Sequence, residues 1–282
     1  MQNMTEKAYA KINLTLDVLR KREDGYHDIK TVMQTVSLCD ALEVEKDEKI
    51  RISASKPYIP TDKRNLVYTA CERFFSATGV KGGARIRLKK FIPVAAGLAG
   101  GSSDAAATLR ALNRLYRTKL TDDMLCEIAS SFGADIPFCI KGGTALCEGI
   151  GEVITSLRPL PRANIVISIG GESASTPAMY AELSKRNAFS LIDNDGMIMA
   201  IDRGEIREIA GKLGNAFEDI CAEKRPFIKE IKSAMLNSGA LGACMSGSGP
   251  SVFGIFQNRK TAISCANMLK SKGYYAFYCT TV

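Results

Sequence analysis

In PVAAGLAGGSSDAAATLRALNRLY, residues 93–116, three glycines and two serines fall between positions 97 and 103. They head a run in which Ala105, Leu109, Leu112 and Tyr116 share one helical face. The first turn of a helix carries unpaired N–H groups and the positive end of the peptide dipole. Gly97, Gly100 and Gly101 bring no side chain to block an anion from that turn, so backbone alone can cradle a phosphate. The stretch is neither GxxxxGK[ST] nor GxGxxG and holds no lysine ahead of the helix. Its counter-charge must therefore come from a metal ion or a distant lysine. The other reading is a tight strand-to-helix turn in which glycine supplies positive φ. Either way the helix is expected to start near 103, capped by Ser102, Ser103 or Asp104.

Other residues of chemical interest each have a plain structural alternative. Asp135, in GADIPF, has apolar neighbours (Ala134, Ile136, Phe138) that would partly desolvate it and raise its basicity; it also suits a turn before Ile-Pro. Lys11 and Asn13 fall side by side on the polar face of a strand, where a lysine can simply face water. Tyr26 and His27, the single histidine, belong to the polar turn RKREDGYHD (20–28). Tyr180, in STPAMY, has the helical spacing of a core residue, and Thr176 before Pro177 suits an N-cap. Asn65 suits the cap of a helix over 66–76, Asn113 a helix surface, and Ser246, Gly247, Ser248 and Gly249 a hairpin turn.

The elements that must position these residues follow from periodicity. In AYAKINLTLDV (8–18), Ala8, Ala10, Ile12, Leu14, Leu16 and Val18 alternate with Tyr9, Lys11, Asn13, Thr15 and Asp17, which predicts a half-buried strand. Strand-like runs follow at 29–38, 41–46, 50–54 and 84–90, and helices at 66–76 and 121–132, the latter closing at Gly133. TALCEG and EVITSL read as short strands, and RPLPR (158–162) punctuates the chain. Beyond it come a strand in ANIVISIGG, helices near 177–187, 203–213, 225–238 and 260–272, a strand–turn–strand in ACMSGSGPSVFGIF and a closing strand. The expectation is an α+β chain in two parts meeting near 158. With 282 residues, 46% hydrophobic, there is core enough for both.

The net charge of +8 is scattered, without the basic stripe and interleaved aromatics of a nucleic-acid face, and suits anionic small ligands. Nine cysteines, an odd number with no CxxC, alongside one histidine argue against disulfides and zinc. No apolar run reaches membrane-span length and no signal-peptide core opens the chain, so the cytoplasm is expected.

Three motifs spread over nearly the whole chain carry a family resemblance. PVAAGLAGGSS is similar to the PxxxGLGGSS signature of the GHMP small-molecule kinases, with Ala99 where the family usually has glycine. AYAKINLTL with DGYHDI lies near the start, and LGACMSGSGPSVFG (241–254) near the end. The resemblance implies an α+β fold with a ribosomal-protein-S5-like domain (1–157) and a ferredoxin-like domain (158–282). It implies an ATP-dependent kinase using Mg²⁺. Pro93, Val94, Ala95, Ala96, Gly97, Leu98, Ala99, Gly100, Gly101, Ser102 and Ser103 would then hold ATP, with Asn65 and Asn113 on the adenine side and Ser246–Gly249 supporting the cradle. Asp135 would accept the proton of the acceptor hydroxyl, and Lys11 would keep it ionised and stabilise the developing charge.

AKINLTL, DGYH, GLAGGSSDAA, GADIPF and SGSGPSVF together resemble the branch acting on a cytidine-diphosphate-linked methylerythritol. That branch phosphorylates the 2-hydroxyl, in the non-mevalonate route to isoprenoid precursors. There Tyr26 would stack on cytosine, His27 would hydrogen-bond it, and Tyr180 would form the opposite wall. Thr176 would lie near the methylerythritol chain, and Asn13 would join the acceptor site. The alternatives are a homoserine or mevalonate kinase, whose acceptors have no base to stack, or a nucleotide and sugar sensor needing neither Lys11 nor Asp135. Partners are expected to be small molecules, not nucleic acid or membrane, and the chain a monomer or weak homodimer.

Overall fold

The computed structural model describes residues 3–172, 175–186, 189 and 192–282. Two long strands open the chain, β1 (Asn3–Lys21) and β2 (His27–Asp47). The runs expected at 29–38 and 41–46 are thus one strand: Asp40 between them, a residue common in turns, instead accepts from the Phe91 and Ile92 N–H groups. β1 departs from its half-buried reading, because both of its faces are covered: Lys11 is 5% exposed and Asn13 1%. Alternation marks a polar face but does not say whether water or other polar groups satisfy it; here hydrogen bonds replace the water.

The remaining elements are β3 (Arg51–Ala54), α1 (Leu66–Thr78), β4 (Gly83–Lys89), α2 (Gly100–Tyr116), α3 (Asp122–Ser130), α4 (Ile136–Lys141), β5 (Thr144–Gly149), β6 (Val153–Ser156) and β7 (Asn164–Ile169). They continue with α5 (Thr176–Arg186), α6 (Asn194–Arg203), α7 (Ile206–Gly211), β8 (Gly214–Asn215), α8 (Glu218–Lys224), α9 (Phe227–Asn237), β9 (Ala240–Met245), β10 (Val252–Phe256), α10 (Arg259–Ser271) and β11 (Tyr275–Thr280). Asn65 caps α1 as expected, its side chain accepting from the Val67 N–H, and Gly79 closes the helix at φ 67°. ADIPFCI forms the short helix α4, with Pro137 in its first turn. The expected helix at 203–213 is reduced to α7, because α6 ends at Arg203 and Gly204 closes it in left-handed backbone; α8 had no counterpart among the expectations.

Contacts divide the chain into two compact units. The first takes the chain up to Ala10, Cys39–Val94 and Ala99–Gly142; the second takes Lys11–Leu38, Ala95–Leu98 and Gly143–Val282. A single cut does not separate them, since β1 and β2 each give one half to either unit. In the first unit the C-terminal half of β2 pairs antiparallel with β4, from Ala41↔Lys89 to Asp47↔Gly83, and β3 lies parallel to β4. Its core joins Leu42, Val44 and Ile86 to Val67, Phe74, Leu109, Leu112 and Ile136 from α1, α2 and α4. In the second unit the N-terminal half of β2 pairs with β5, β5 with β6, and β8 runs parallel to β1. A separate antiparallel sheet has the order β11-β7-β10-β9. Val166, Val252 and Phe256 from that sheet pack with Ile231 and Leu269 from α9 and α10.

None of the nine cysteines forms a disulfide, and burial pushes Cys71 and Cys279 up to about 12, which leaves those two inert fillers. Among the described residues no helix is long and apolar enough to cross a membrane.

Candidate active site

The glycine segment takes left-handed backbone at every second residue: φ is 52° at Ala95, 76° at Gly97 and 54° at Ala99. Two of these are alanines, which pay about 1–2 kcal/mol each for that conformation. Helix α2 then opens at Gly100, three residues earlier than expected, and no side chain caps it. Of the expected caps, Ser103 is buried and its hydroxyl donates instead to the Tyr9 carbonyl at 2.5 Å. Asp104 is turned into a buried ion cluster. No side chain therefore satisfies the first-turn N–H groups, the arrangement that can receive an anion. Pro93 and Ser102 are half-buried, Val94 and Gly101 exposed, and Ala96 and Leu98 buried as the apolar anchors of the loop.

Within the second unit, Ser246 ties this loop to β1. Its hydroxyl donates to the Gly97 carbonyl at 3.0 Å and accepts from the Asn13 N–H at 3.3 Å. The Lys11 N–H donates to the Leu98 carbonyl at 3.2 Å, and the Lys11 ammonium donates to Asn13 Oδ1 at 2.7 Å. Asn215 holds the Ser246–Gly249 turn, its amide nitrogen donating to the Met245 and Gly247 carbonyls at 2.8 and 2.9 Å. Lys11, Asn13, Gly97, Leu98 and Ser246 are therefore one bonded group. A lysine on water was the simpler expectation for position 11; the ammonium is instead buried.

Asp135 belongs to the first unit, half-buried at the N-cap position of α4. The helix is pinned from its other end by Arg110, which donates to the Cys139 carbonyl at 2.7 Å and pairs with Glu6 at 2.9 Å. Asn65 spends its amide on the α1 cap and on the Pro60 carbonyl at 2.7 Å. Asn113 stands apart from the cradle, 13 residues along α2 from Gly100 and so about 20 Å by helical rise. Its amide donates to the Leu120 carbonyl and accepts from the Thr118 hydroxyl and the Leu120 N–H.

His27 and Tyr180 form a second group in the second unit, and Tyr26 precedes His27 in the chain. The His27 and Tyr180 rings stack with centroids 4.7 Å apart, and Tyr180 meets Phe217 edge-on at 4.8 Å. No base fits between rings in contact, so a ligand would have to stack on an outer face. Tyr26 is 60% exposed, its N–H fixed by Asp24 Oδ1 at 3.0 Å. Burial, with a smaller contribution from Lys21, pushes the His27 pKa below its usual range and keeps the ring neutral at pH 7. Its Nε2 lies 2.7 Å from the Ser184 hydroxyl. Thr176 is the first residue of α5 rather than its cap, and its hydroxyl meets that of Ser248 at 2.8 Å.

Sequence reading missed the buried cluster Asp40–Lys90–Asp104 of the first unit. Lys90 Nζ bonds Asp40 Oδ2 and, at 2.7 Å, Asp104 Oδ2; Asp40 Oδ1 accepts from the Ile92 N–H at 2.8 Å. A Cβ at Gly100 would lie 3.4 Å from Lys90 Nζ, so this cation sits against the first turn of α2. Residues 40, 90 and 104 lie too far apart in sequence for any local pattern to join them. Burial pushes the Asp104 carboxyl up to about 8 against the pull of the Lys90 ammonium. From the ordinary carboxylate value of 3.8, that shift means the folded state holds the proton more tightly. The stability it contributes is complete below pH 4 and is lost as pH rises through 8. Asp104→Asn should remove this loss, so its melting temperature should gain on wild type as pH is raised from 5 to 8.5. Parallel curves would show that Asp104 does not titrate there.

Two regions of the chain match family descriptions: residues 65–143 match "GHMP kinases N terminal domain" and residues 197–275 match "GHMP kinases C terminal". A 4-diphosphocytidyl-2-C-methyl-D-erythritol kinase of Caldicellulosiruptor saccharolyticus is 49% identical over 269 residues, covering 95% of this chain and 93% of its own. One from Clostridium novyi is 46% identical over 267 residues, covering 94% and 95%. A crystal structure of 4-(cytidine 5'-diphospho)-2C-methyl-D-erythritol kinase superposes with a TM-score of 0.85 at 35% identity, covering 99% of both chains. The two family regions, the relatives' identity over almost the full length and the superposition agree: the chain belongs to the GHMP kinase family.

Proposed function

We propose that the protein transfers the γ-phosphoryl group of MgATP to the 2-hydroxyl of 4-diphosphocytidyl-2-C-methyl-D-erythritol. The observation that carries the nucleotide half is the uncapped start of α2 behind left-handed backbone at 95, 97 and 99. It offers aligned N–H groups to an anion without a side chain in the way. In this reading the segment 93–103 holds the triphosphate, the 246–249 turn braces it, and Asn65 faces the adenine. Mg²⁺ arrives as part of the co-substrate: such ions need only one or two protein oxygens besides phosphate. Among the described residues no three His, Cys, Asp or Glu side chains gather into a cage of their own. Asp135 takes the proton of the acceptor hydroxyl as the phosphoryl group moves. Lys11 neutralises the charge that develops on the transferred group. Its ammonium is buried and donates to Asn13 Oδ1, so it would offer that charge a positive group already fixed in place. The family's two domains meet near residue 158, and the enzyme works in the cytoplasm as a monomer or weak homodimer.

The acceptor half draws on the relatives' names together with Tyr26, His27 and Tyr180. A panel of cytidyl-methylerythritol, homoserine, mevalonate and galactose with MgATP, followed by phosphorus NMR, tests it. The first alone should gain a phosphomonoester signal, and turnover of any other in its place would overturn the choice. Tyr180→Ala should weaken cytidyl-methylerythritol about tenfold to a hundredfold, the scale of one base–aromatic stacking contact, while Tyr180→Phe retains it. Because Tyr180 also packs on Phe217, the alanine variant should melt lower as well. The discriminating readout is therefore ATP affinity. Equal losses for both substrates would mark Tyr180 as a core residue only.

A further inference from the structure

A run of buried side chains in the second unit continues past Lys11 and Asn13, and the direction of each hydrogen bond in it is determined. The Thr31 hydroxyl lies 2.5 Å from the Thr15 carbonyl oxygen. A carbonyl only accepts, so the one hydroxyl proton of Thr31 is committed there. Thr31 Oγ1 is left as an acceptor, and its donor is Asn13 Nδ2 at 2.8 Å. That orients the carboxamide: nitrogen to Thr31, oxygen to the Lys11 ammonium at 2.7 Å. The opposite orientation would set two sets of N–H donors against each other at Lys11, since an ammonium accepts nothing. Behind this, Thr15 Oγ1 accepts from the Val32 N–H at 2.9 Å and donates to Asn194 Oδ1 at 2.6 Å. Asn194 Nδ2 in turn donates to the Ile192 carbonyl at 3.2 Å. Thr31 and Thr15 are fully buried, so no water competes for these bonds.

We infer that Thr31 is a positioning residue: by accepting from Asn13 Nδ2 it locks the amide oxygen toward Lys11 and so fixes where the Lys11 charge stands. The inference rests on the reading in which Lys11 serves phosphoryl transfer. Asn13 alone, as a two-faced amide, would hold a cation in only one of its two orientations. Thr31 removes the other.

Thr31→Val keeps the shape and removes the acceptor. With cytidyl-methylerythritol and MgATP, its turnover should fall about tenfold to a hundredfold, the scale of one hydrogen bond to a charged group, with KM for MgATP little changed. Thr31→Ser keeps the hydroxyl and should retain wild-type turnover. Asn13→Ala should be slow by itself, and adding Thr31→Val to it should cost nothing further, because Thr31 acts through Asn13. Wild-type turnover in Thr31→Val, or losses that add in the double variant, would overturn the inference. Should Thr31→Val not fold, NMR of the wild-type protein decides. Asn13 carboxamide protons that exchange slowly and show an NOE to the Thr31 methyl support it. An NOE from those protons to the Lys11 ε-methylene in place of the Thr31 methyl overturns it. Lys11→Met separates the two levels: an active Lys11→Met enzyme defeats the underlying reading, whereas an inactive one beside an active Thr31→Val defeats only the role of Thr31.

Discussion

Asp135→Asn should lower turnover by about 10²–10⁴-fold, the range over which a positioned base contributes to proton transfer. Asparagine fills the same volume at the N-cap position of α4, and Arg110 still pins the far end of that helix, so the fold has no reason to change. What disappears is the capacity to take a proton. Affinities for MgATP and the acceptor, measured by calorimetry, should therefore stay near wild type while single-turnover rates collapse. Near-normal turnover would remove Asp135 from the chemistry and return it to the role of a residue that merely opens a helix.

Gly97→Ala should abolish useful nucleotide binding. A Cβ there would lie 2.2 Å from the Ser246 carbonyl oxygen, and 3.3 Å from the Gly249 nitrogen, with φ at 76°. Both obstacles are backbone, so the loop itself must move. A displacement of about 1 Å at a binding cradle is enough to cost roughly 10² in efficiency. Gly79→Ala provides the comparison: φ is 67° there, but a Cβ meets nothing within 4 Å. That variant should lose about 1 kcal/mol of stability through backbone strain and keep its ATP affinity. If Gly97→Ala binds ATP as Gly79→Ala does, the cradle lies elsewhere on the chain.

Much of this site was legible in the sequence because glycine and serine are conspicuous, and because alternation in β1 placed Lys11 beside Asn13. The Asn65 cap was legible for the same reason: it is a local, side-chain feature. The start of α2 was misplaced by three residues, since the usual signals are capping side chains and this helix has none. α4 is only six residues long, too short to show a helical period. What stayed hidden was pairing at a distance. Lys90 needs Asp40, 50 residues away, and His27 needs Ser184, 157 residues away, and neither pair leaves a mark on its neighbours in the chain. The burial of the polar face of β1 was hidden as well, because Thr31 and Asn194 satisfy it from other elements.

The interleaving of the two units has a consequence for biosynthesis. The inner half of β2 finds its partner in β5, with Ile29 opposite Gly149, and β1 finds β8 at Gly214 and Asn215. At about 5–20 residues per second on the ribosome, the edge at Ile29 stays open for roughly 6–24 s after it emerges. An open edge rich in Val32, Met33 and Val36 is a template for pairing with neighbouring chains. Newly made protein is therefore expected to depend on holdase chaperones until residue 149 is out, and slower translation across 50–140 should lower its soluble yield.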